Sequence, residues 1–180
     1  MSTVSITQTS ADRADDIRAI HEAAFGHSDE ADLVLELMGD DTAHPVLSLL
    51  AALDGDAVGH ILFTRAEIDS LPSVSAAILA PLAVLGTAQG KGVGSALVRD
   101  GLERLEAQGV RFVFVLGDPA YYGRFGFEPA TPLGFEATYP LPEAWHDAWR
   151  VQQLGRGAPQ VSGGRVLCAK ALDQPEFWTE

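Results

Sequence analysis

The stretch from Leu79 to Phe127 decides the fold, and it reads LAPLAVLGTAQGKGVGSALVRDGLERLEAQGVRFVFVLGDPAYYGRFGF. It opens on an apolar run, passes through a glycine-rich loop and continues as a long amphipathic segment that ends at Gly109. A second apolar run, Phe112–Leu116, follows at once. Short apolar runs bounded by glycine or proline are typical of buried strands, and apolar residues three and four apart are typical of a helix. The stretch therefore predicts a strand, a loop, a helix over Val93–Gln108 and a second strand.

The loop before this helix has the composition of an anion-binding site. Glycines allow several backbone N–H groups to approach one point, and the positive end of the helix dipole lies at the same place. We therefore expect the loop to bind a phosphate or a diphosphate. Its residues are Gln89, Gly90, Lys91, Gly92, Val93, Gly94 and Ser95.

Two other phosphate-binding motifs do not fit this loop. A Walker A motif needs GxxxxGK[ST], but Gly86 stands one residue too close to the Gly90-Lys91 pair, and Gly92 takes the place of the required Ser or Thr. A Rossmann fingerprint that began at Gly92 would need a small residue where the chain has Leu97. A tight turn without any ligand stays an alternative.

The remainder of the chain adds strands and helices around this stretch. Asp54-Gly55-Asp56 favours a hairpin turn, and Leu71–Ser75 contains proline and serine and is interpreted as a loop. The order of elements predicts a mixed α/β sheet in one domain over residues 1–180, with a strand-rich C-terminal extension over 131–180. Further strands are predicted at Val4–Gln8, Val46–Leu53, Val58–Ile68, Ala76–Leu85, Arg150–Leu154 and Arg165–Leu172, and further helices at 11–25, Ser28–Met38 and Pro119–Arg124.

The charge balance restricts the class of partner. The chain carries 25 acidic and 12 basic residues, which gives a net charge of −13. A general nucleic-acid binder needs a basic surface, so we expect no nucleic-acid partner. The field of the whole chain attracts cations. A chain of 180 residues with 47% hydrophobic residues has enough apolar surface for a core without disulfides or a structural metal.

Targeting and metal-binding signals are missing from the sequence. The N-terminal residues lack a basic start followed by an apolar core, and the apolar run Ala76–Leu85 is too short to span a bilayer. We therefore expect a cytoplasmic protein with no membrane partner. The five histidines show no HxH or HxxxH spacing, which argues against a metal site. Cys168 lies in the apolar run VLCAKAL, and we interpret it as a small buried side chain rather than a nucleophile.

Together these segments resemble the GCN5-related N-acetyltransferase (GNAT) family. The phosphate loop of that family reads Gln/Arg-x-x-Gly-x-Gly/Ala, and Gln89, Gly92 and Gly94 match its spacing. The segment DPAYYGRFGFEPA is similar to the closing element of the family, and most of all to small bacterial acetyltransferases that carry GDPAYYxRFGF. The resemblance implies a single-domain α/β fold with a mixed, splayed central β-sheet flanked by helices, as in acyl-CoA N-acyltransferases.

The resemblance also implies how a cofactor binds. The cofactor is acetyl-CoA, with no metal, and its diphosphate would lie on the loop from Gln89 to Ser95. The backbone of Leu82, Ala83 and Val84 would pair with the pantetheine amides, and one N–H group there would stabilise the oxyanion. Pro81 supports this placement, because proline removes one ladder donor and suits a site where strands separate. An ordinary strand end at Pro81 is the alternative.

Three side chains of the closing element have implied roles. Tyr122 matches the family tyrosine that protonates the departing thiolate of coenzyme A, and a phenol is a reasonable donor to a sulfur leaving group. Packing against the sheet is the alternative for Tyr122. Asp118 either caps the short helix or orients the cofactor, and Arg124 either reaches a phosphate or faces solvent.

The implied function is an N-acetyltransferase that moves an acetyl group from acetyl-CoA to a primary amine by direct attack in a ternary complex. The acceptor, a small molecule or a peptide, would enter between the first helices and the end of the chain, with His60, Glu22, Glu36 or a water chain accepting its proton. A non-catalytic acyl-CoA-binding or sensing module is the alternative, and a nucleotide triphosphatase is a third hypothesis. The oligomeric state stays open, with a homodimer among its alternatives. Three tryptophans belong either to this entrance or to the core: Trp145, Trp149 and Trp178.

Overall fold

The computed structural model describes residues 3–155 and 163–179, and a mixed β-sheet lies at its centre. The strands are β1 (Val4–Gln8), β2 (Leu47–Leu53), β3 (Asp56–Ile68), β4 (Leu71–Val84), β5 (Phe112–Leu116), β6 (Glu128–Pro129), β7 (Phe135–Glu136), β8 (Trp149–Gln153) and β9 (Gly164–Leu167). The helices are α1 (Ala14–Phe25), α2 (Asp29–Met38), α3 (Val93–Ala107), α4 (Pro119–Gly123) and α5 (Glu176–Thr179). The strand order is β1-β2-β3-β4-β5-β8-β6, and β9 pairs with both β3 and β7.

The first four strands form an antiparallel meander. Asp54 and Gly55 both have positive φ, 52° and 93°, as a two-residue hairpin turn requires, so the predicted hairpin is confirmed. The predicted loop over Leu71–Ser75 is wrong, because β4 begins at Leu71 opposite Ile68. Pairing with β3 along the whole hairpin overrides the local signal of proline and serine, and a register shift in this part of the hairpin accommodates Pro72.

Helices cover both faces of the sheet. On one face α1 and α2 bury Ile17, Ile20 and Leu37 in one cluster with three side chains of β3, namely Leu62, Ala66 and Ile68. On the other face α3 buries the predicted apolar stripe, in which Val93 and Leu97 are both essentially inaccessible to solvent. The phosphate-loop helix therefore lies on the opposite side of the sheet from the first two helices.

The C-terminal part of the chain completes the sheet. β8 lies between β5 and β6, and Trp149 at its start is buried, with its indole Nε1 donating to the carbonyl of Phe135 at 3.1 Å. The predicted strand over Arg165–Leu172 is too long, because the N–H groups of Leu172 and Asp173 both turn back to bond the carbonyl of Ala169. A single domain over residues 1–180 stays a prediction, which these contacts support.

The sheet splits between β4 and β5. These two parallel strands pair only through Ala76–Ile78 and Phe112–Phe114, and the register of β4 against β3 shifts by one residue near Pro81. Such a bulge bends its strand and increases the local twist. Beyond Ile78 each strand keeps only its outer neighbour, β3 for β4 and β8 for β5. The predicted splayed sheet is therefore confirmed.

A pair of buried histidines lies between α1 and the sheet. Nε2 of His21 is 2.9 Å from Nδ1 of His60, and Nε2 of His60 is 2.7 Å from the hydroxyl of Ser48. All three side chains are buried. Burial lowers the pKa of His21 from 6.5 to about 4, and burial together with the neighbouring His21 lowers the pKa of His60 to about 3. Both imidazoles are therefore neutral near pH 7.

This pair predicts that the free energy of unfolding falls on acidification below pH 6.5. Between pH 6.5 and about pH 4 the unfolded chain binds protons that the folded chain excludes, so stability is lost as the pH falls. The slope is at most about 1.4 kcal/mol per pH unit for each histidine. Urea unfolding at several pH values from 7 to 5 measures this slope. His21→Leu should reduce the slope. His146→Gln, which changes an exposed histidine, should leave it unchanged. Stability that stays level over this interval would contradict the prediction.

Candidate active site

A cleft of about 940 Å³ lies where β4 and β5 separate. Its walls on the sheet side are Ile78–Leu82 of β4 and Val115–Asp118 at the end of β5. Residues of α2 and of the C-terminal helix α5 line the opposite side. The cleft therefore opens between the first helices and the last described helix, where the sequence predicts that an acceptor enters.

The free edge of β4 faces this cleft. Beyond Ile78, β3 is the only strand that pairs with β4 within the described ranges, so the other edge presents unpaired peptide groups. Leu82 lines the cleft, the side chain of Ala83 is buried in the core, and the carbonyl of Val84 accepts a hydrogen bond from Nε2 of Gln89 at 3.3 Å. The edge can therefore bind a ligand through its backbone, and Gln89 ties the edge to the glycine loop.

The loop places the start of α3 beside this edge. Gly90 and Gly92 have positive φ, 75° and 81°, which glycine adopts without steric cost. In the described structure α3 has no side-chain cap and no acidic residue in its first turn. The N–H groups of Val93, Gly94 and Ser95 have no acceptor within the helix. They and the helix dipole form a region that attracts an anion.

Three cations surround the first turns of α3. Lys91 lies in the loop, and the guanidinium groups of Arg99 and Arg124 both lie over the ring of Phe125, at 4.9 and 5.2 Å from its centre. Nη2 of Arg124 also donates to the hydroxyl of Ser95 at 3.2 Å. None of these cations forms an ion pair with a carboxylate of residues 3–155 or 163–179. The loop is thus a local positive region in an acidic chain.

The short helix α4 directs Tyr122 into the cleft. The carboxylate of Asp118 accepts a hydrogen bond from the N–H of Ala120 at 2.9 Å and caps the helix, so its capping role is confirmed. The ring of Tyr122 lies against Gly117, where a Cβ atom would overlap it. Only 9% of Tyr122 is exposed, and burial raises its pKa above the ordinary value of 10.0. The phenol therefore stays protonated near pH 7.

The opposite wall of the cleft is acidic. His27 is the one basic residue that lines it, at 3.1 Å from the carboxylate of Glu30. Lysine and arginine are missing from the lining residues of the described chain. This wall therefore favours a cationic molecule. The acidic lining residues are Asp29, Glu30, Asp32, Glu36, Asp118 and Glu176.

The three side chains predicted to accept the amine proton separate in the structure. His60 is buried beside His21 and does not line the cleft. Glu22 forms an ion pair with Arg18 at 3.0 Å and also lies outside the cleft lining. Glu36 is the one of the three that lines the cleft.

Sequence reasoning missed the contribution of α5. Trp178 lines the cleft while it is largely buried, and its indole Nε1 donates to the carbonyl of Leu172 at 3.1 Å. Trp149 belongs to the core, and its ring lies edge to face against that of Trp178, with ring centres 5.6 Å apart. Pro175 followed by an acidic residue was the available signal for a helix start at this point.

A split sheet with an uncapped helix beside the split defines a class of protein that holds a phosphorylated cofactor next to a reaction cleft. Residues 5–130 match the family described as an acetyltransferase (GNAT) domain. Two N-acetyltransferases of Escherichia coli strain K12, both named as uncharacterised, are similar to this chain. YjhQ is 49% identical over 158 residues, which are 87% of this chain and 87% of that protein. YhbS is 34% identical over 145 residues, which are 79% of this chain and 82% of that protein.

Two solved structures share the fold. The YhbS structure from Escherichia coli, a complex with CoA, has a TM-score of 0.86 at 28% identity and covers 97% of this chain and 94% of that one. A GNAT family acetyltransferase from Brucella melitensis, a complex with acetyl-CoA, has a TM-score of 0.74 at 30% identity, with 95% and 99% of the two chains covered.

The chain belongs to the GNAT acetyltransferase family. The predicted family, the predicted α/β fold and the predicted class of enzyme, an acyltransferase, are therefore confirmed. The narrower resemblance through the segment GDPAYYGRFGF stays a prediction, as do a homodimer and a cytoplasmic location. No helix within the described residues is long and apolar enough to cross a lipid bilayer.

Cys168 lies outside the cleft lining and is half-buried rather than fully buried. Burial raises the pKa of its thiol from 9.0 to about 11. Because the thiolate is the nucleophilic form, this thiol is not activated. Among the described residues no group of three or more His, Cys, Asp or Glu side chains is placed to hold a metal ion.

We expect Cys168 to react slowly with iodoacetamide. With a pKa of about 11 only a small fraction is ionised at pH 8, so alkylation should be at least about tenfold slower than that of free cysteine. Mass spectrometry of the native protein over time measures the rate, and the urea-unfolded protein is the control. A native rate equal to the unfolded rate would contradict the burial of this thiol.

Proposed function

We propose that this protein transfers the acetyl group of acetyl-CoA to a primary amine by direct attack in a ternary complex. One observation carries the proposal: the free edge of β4 and the ring of Tyr122 border the cleft at the split, and the uncapped start of α3 lies next to Val84 of β4 and Tyr121 of α4. These are the groups that a thioester with a diphosphate arm needs. Two family members have been solved as complexes with CoA and with acetyl-CoA, which supports the choice of cofactor.

The residues of the cleft fit acetyl-CoA through backbone groups. The diphosphate lies on the loop from Gln89 to Ser95, where free N–H groups, the helix dipole and Lys91 favour negative charge. The pantetheine amides pair with the open edge at Leu82–Val84, as an added strand would. An N–H group of the same edge stabilises the oxyanion of the tetrahedral intermediate.

The chemistry needs few side chains. The acetyl-CoA supplies an activated acetyl group, the neutral amine forms a C–N bond with its carbonyl carbon, and the C–S bond breaks. The bound ammonium ion first gives one proton to Glu36 or to water in the cleft, and the nitrogen loses a second proton to water once the C–N bond has formed. Tyr122 gives a proton to the sulfur as charge develops on it and takes a proton back from water. Most of the rate enhancement then comes from proximity and from polarisation by the backbone.

The acidic wall selects the acceptor by charge. An aliphatic amine is a cation near pH 7, and the carboxylates of α2 and α5 raise its local concentration. Glu36 binds this cation at the cleft wall and is the proposed acceptor of its proton. The acceptor is therefore an aliphatic primary amine of a small molecule or a peptide.

Tyr122→Phe should lower kcat by about 100-fold, because the departing thiolate loses its proton donor. The KM for acetyl-CoA should stay within about threefold of the wild-type value, since the phosphate loop is unchanged. Thiol release with a panel of aliphatic amines measures both constants. Tyr139→Phe is the matched control, because Tyr139 lies outside the cleft and donates to the carbonyl of Asp173.

The same assay separates the alternatives. Acetyl-CoA binding by calorimetry with no thiol release for any amine would favour a non-catalytic acyl-CoA-binding module. A Tyr122→Phe variant with wild-type kcat would remove the tyrosine from the mechanism. Magnesium-dependent ATP binding would favour a nucleotide triphosphatase instead.

Glu36→Gln should lower kcat/KM for a diamine by about 100-fold at any salt concentration if Glu36 accepts the amine proton. If water accepts that proton, the loss should be about two- to fivefold at low salt and smaller at high salt, because only one carboxylate of the acidic wall is lost. Initial rates at 20 and 500 mM salt test this. Glu103→Gln, an equal change of charge on the exposed side of α3, is the control and should leave the rates unchanged. Equal effects of the two variants would argue against a specific role for Glu36.

A further inference from the structure

The hydroxyl of Tyr121 occupies the space that a side chain at residue 94 would need. A Cβ atom placed on Gly94 would overlap the hydroxyl oxygen of Tyr121. The same Cβ atom would lie 3.6 Å from Cζ of Tyr121 and 3.7 Å from Cγ2 of Val84, which are ordinary contact distances. The hydroxyl oxygen is therefore the one obstacle to an alanine at residue 94.

The backbone of Gly94 does not itself require glycine. Gly94 lies in the first turn of α3, and its φ is outside the left-handed region that Gly90 and Gly92 adopt. Alanine is the most favourable residue within a helix, and glycine is among the least favourable. The glycine at this position is thus explained by its contact with Tyr121 rather than by its dihedral angles.

Tyr121 is held on its other sides as well. The guanidinium of Arg124 lies over its ring at 4.8 Å, and the same group donates to the hydroxyl of Ser95 at 3.2 Å. The ring of Phe125 lies edge to face against the ring of Tyr121, with ring centres 5.4 Å apart. Because Arg124 also bonds to α3, a turn of the tyrosine toward solvent would lose its contacts with both Arg124 and Phe125.

The rings of Tyr121 and Tyr122 are in contact. The two residues are neighbours on the single turn of α4. Their rings lie edge to face, with ring centres 5.0 Å apart and an interplanar angle of 84°. Tyr122 in turn lies against Gly117, which leaves it little space in the other direction. A displacement of Tyr121 is therefore passed to the ring of Tyr122.

We propose that Tyr121 is a positioning residue, whose hydroxyl against Gly94 fixes α4, and with it Tyr122, relative to the phosphate loop. This inference rests on the proposed function, in which Tyr122 protonates the leaving thiolate. The start of α3 carries the cofactor's diphosphate, and α4 carries the proton donor. The contact sets the distance between the two.

A double-mutant cycle tests the proposal. Gly94→Ala should lower kcat by about 30-fold, because its methyl group displaces Tyr121, and a misplacement near 1 Å can cost about 100-fold. Tyr121→Phe should lower kcat by about threefold. The double variant should return to within about threefold of wild-type kcat, since the methyl group fills the space that the hydroxyl leaves. The dissociation constant for CoA should stay within about threefold throughout.

Gly86→Ala is the matched control. It lies in the same loop region, its added Cβ atom meets nothing within 4 Å, and its φ is not left-handed. Its kcat should equal that of the wild type. If Gly94→Ala does not fold, the kcat of the double variant is compared with that of the wild type. A kcat near the wild-type value then supports the proposal.

Two results would overturn the inference alone: a wild-type kcat in Gly94→Ala, or a double variant that is as impaired as Gly94→Ala. A parallel loss of CoA affinity in Gly94→Ala that Tyr121→Phe does not restore would also overturn it, because the glycine would then serve the phosphate directly. A wild-type protein that binds acetyl-CoA but acetylates no amine would overturn the proposed function, and the inference with it.

Discussion

The short parallel contact between β4 and β5 is the constraint on which the site depends. Three residue pairs hold the strands together, from Ala76 to Ile78, and the strands then separate. The gap does not close because each strand is fixed on its outer edge, β4 by the long hairpin with β3 and β5 by five pairs with β8. Open peptide groups inside a protein are costly unless they find partners. A ligand with amide groups of its own supplies such partners, so the split is a binding surface built from the backbone.

Charge differs between the acidic cleft and the glycine loop at the start of α3. Lys91, Arg99 and Arg124 lie around the start of α3 without carboxylate partners in the described chain, although the chain as a whole carries a charge of −13. Carboxylates of α2 and α5 line the cleft itself. A field of this kind attracts an anionic group to the loop and a cationic group to the cleft, before any specific contact forms. Net charge alone could not predict this separation, because it depends on which residues the fold brings together.

The sequence predicted what local patterns determine. The stripe of α3, the glycine loop, the hairpin at Asp54-Gly55 and the strands β1 and β5 all follow from periodicity and turn chemistry. What it did not predict depends on distant partners. The start of β4 at Leu71 is fixed by β3, the place of β8 beside β5 is fixed by tertiary pairing, and α5 is held at the cleft by its tryptophan. The role of Tyr122 came from a family resemblance and that of the loop from its glycines, and the structure adds that Tyr122 lines the cleft while Gly94 lies next to Tyr121.

Glycines within a helix are the signal that could have revealed the contact of Tyr121. α3 has two glycines after its cap, Gly94 and Gly101, and neither has a left-handed φ. A Cβ atom at Gly94 would overlap the hydroxyl of Tyr121, and one at Gly101 would overlap the ring of Phe63. Each glycine therefore sacrifices helix propensity so that an aromatic side chain from another element can approach the helix backbone. A helical glycine of ordinary conformation marks a close neighbour, although only the fold shows which neighbour it is. At Gly101 that neighbour is a core residue of the sheet, whereas at Gly94 it is the residue next to the proposed proton donor.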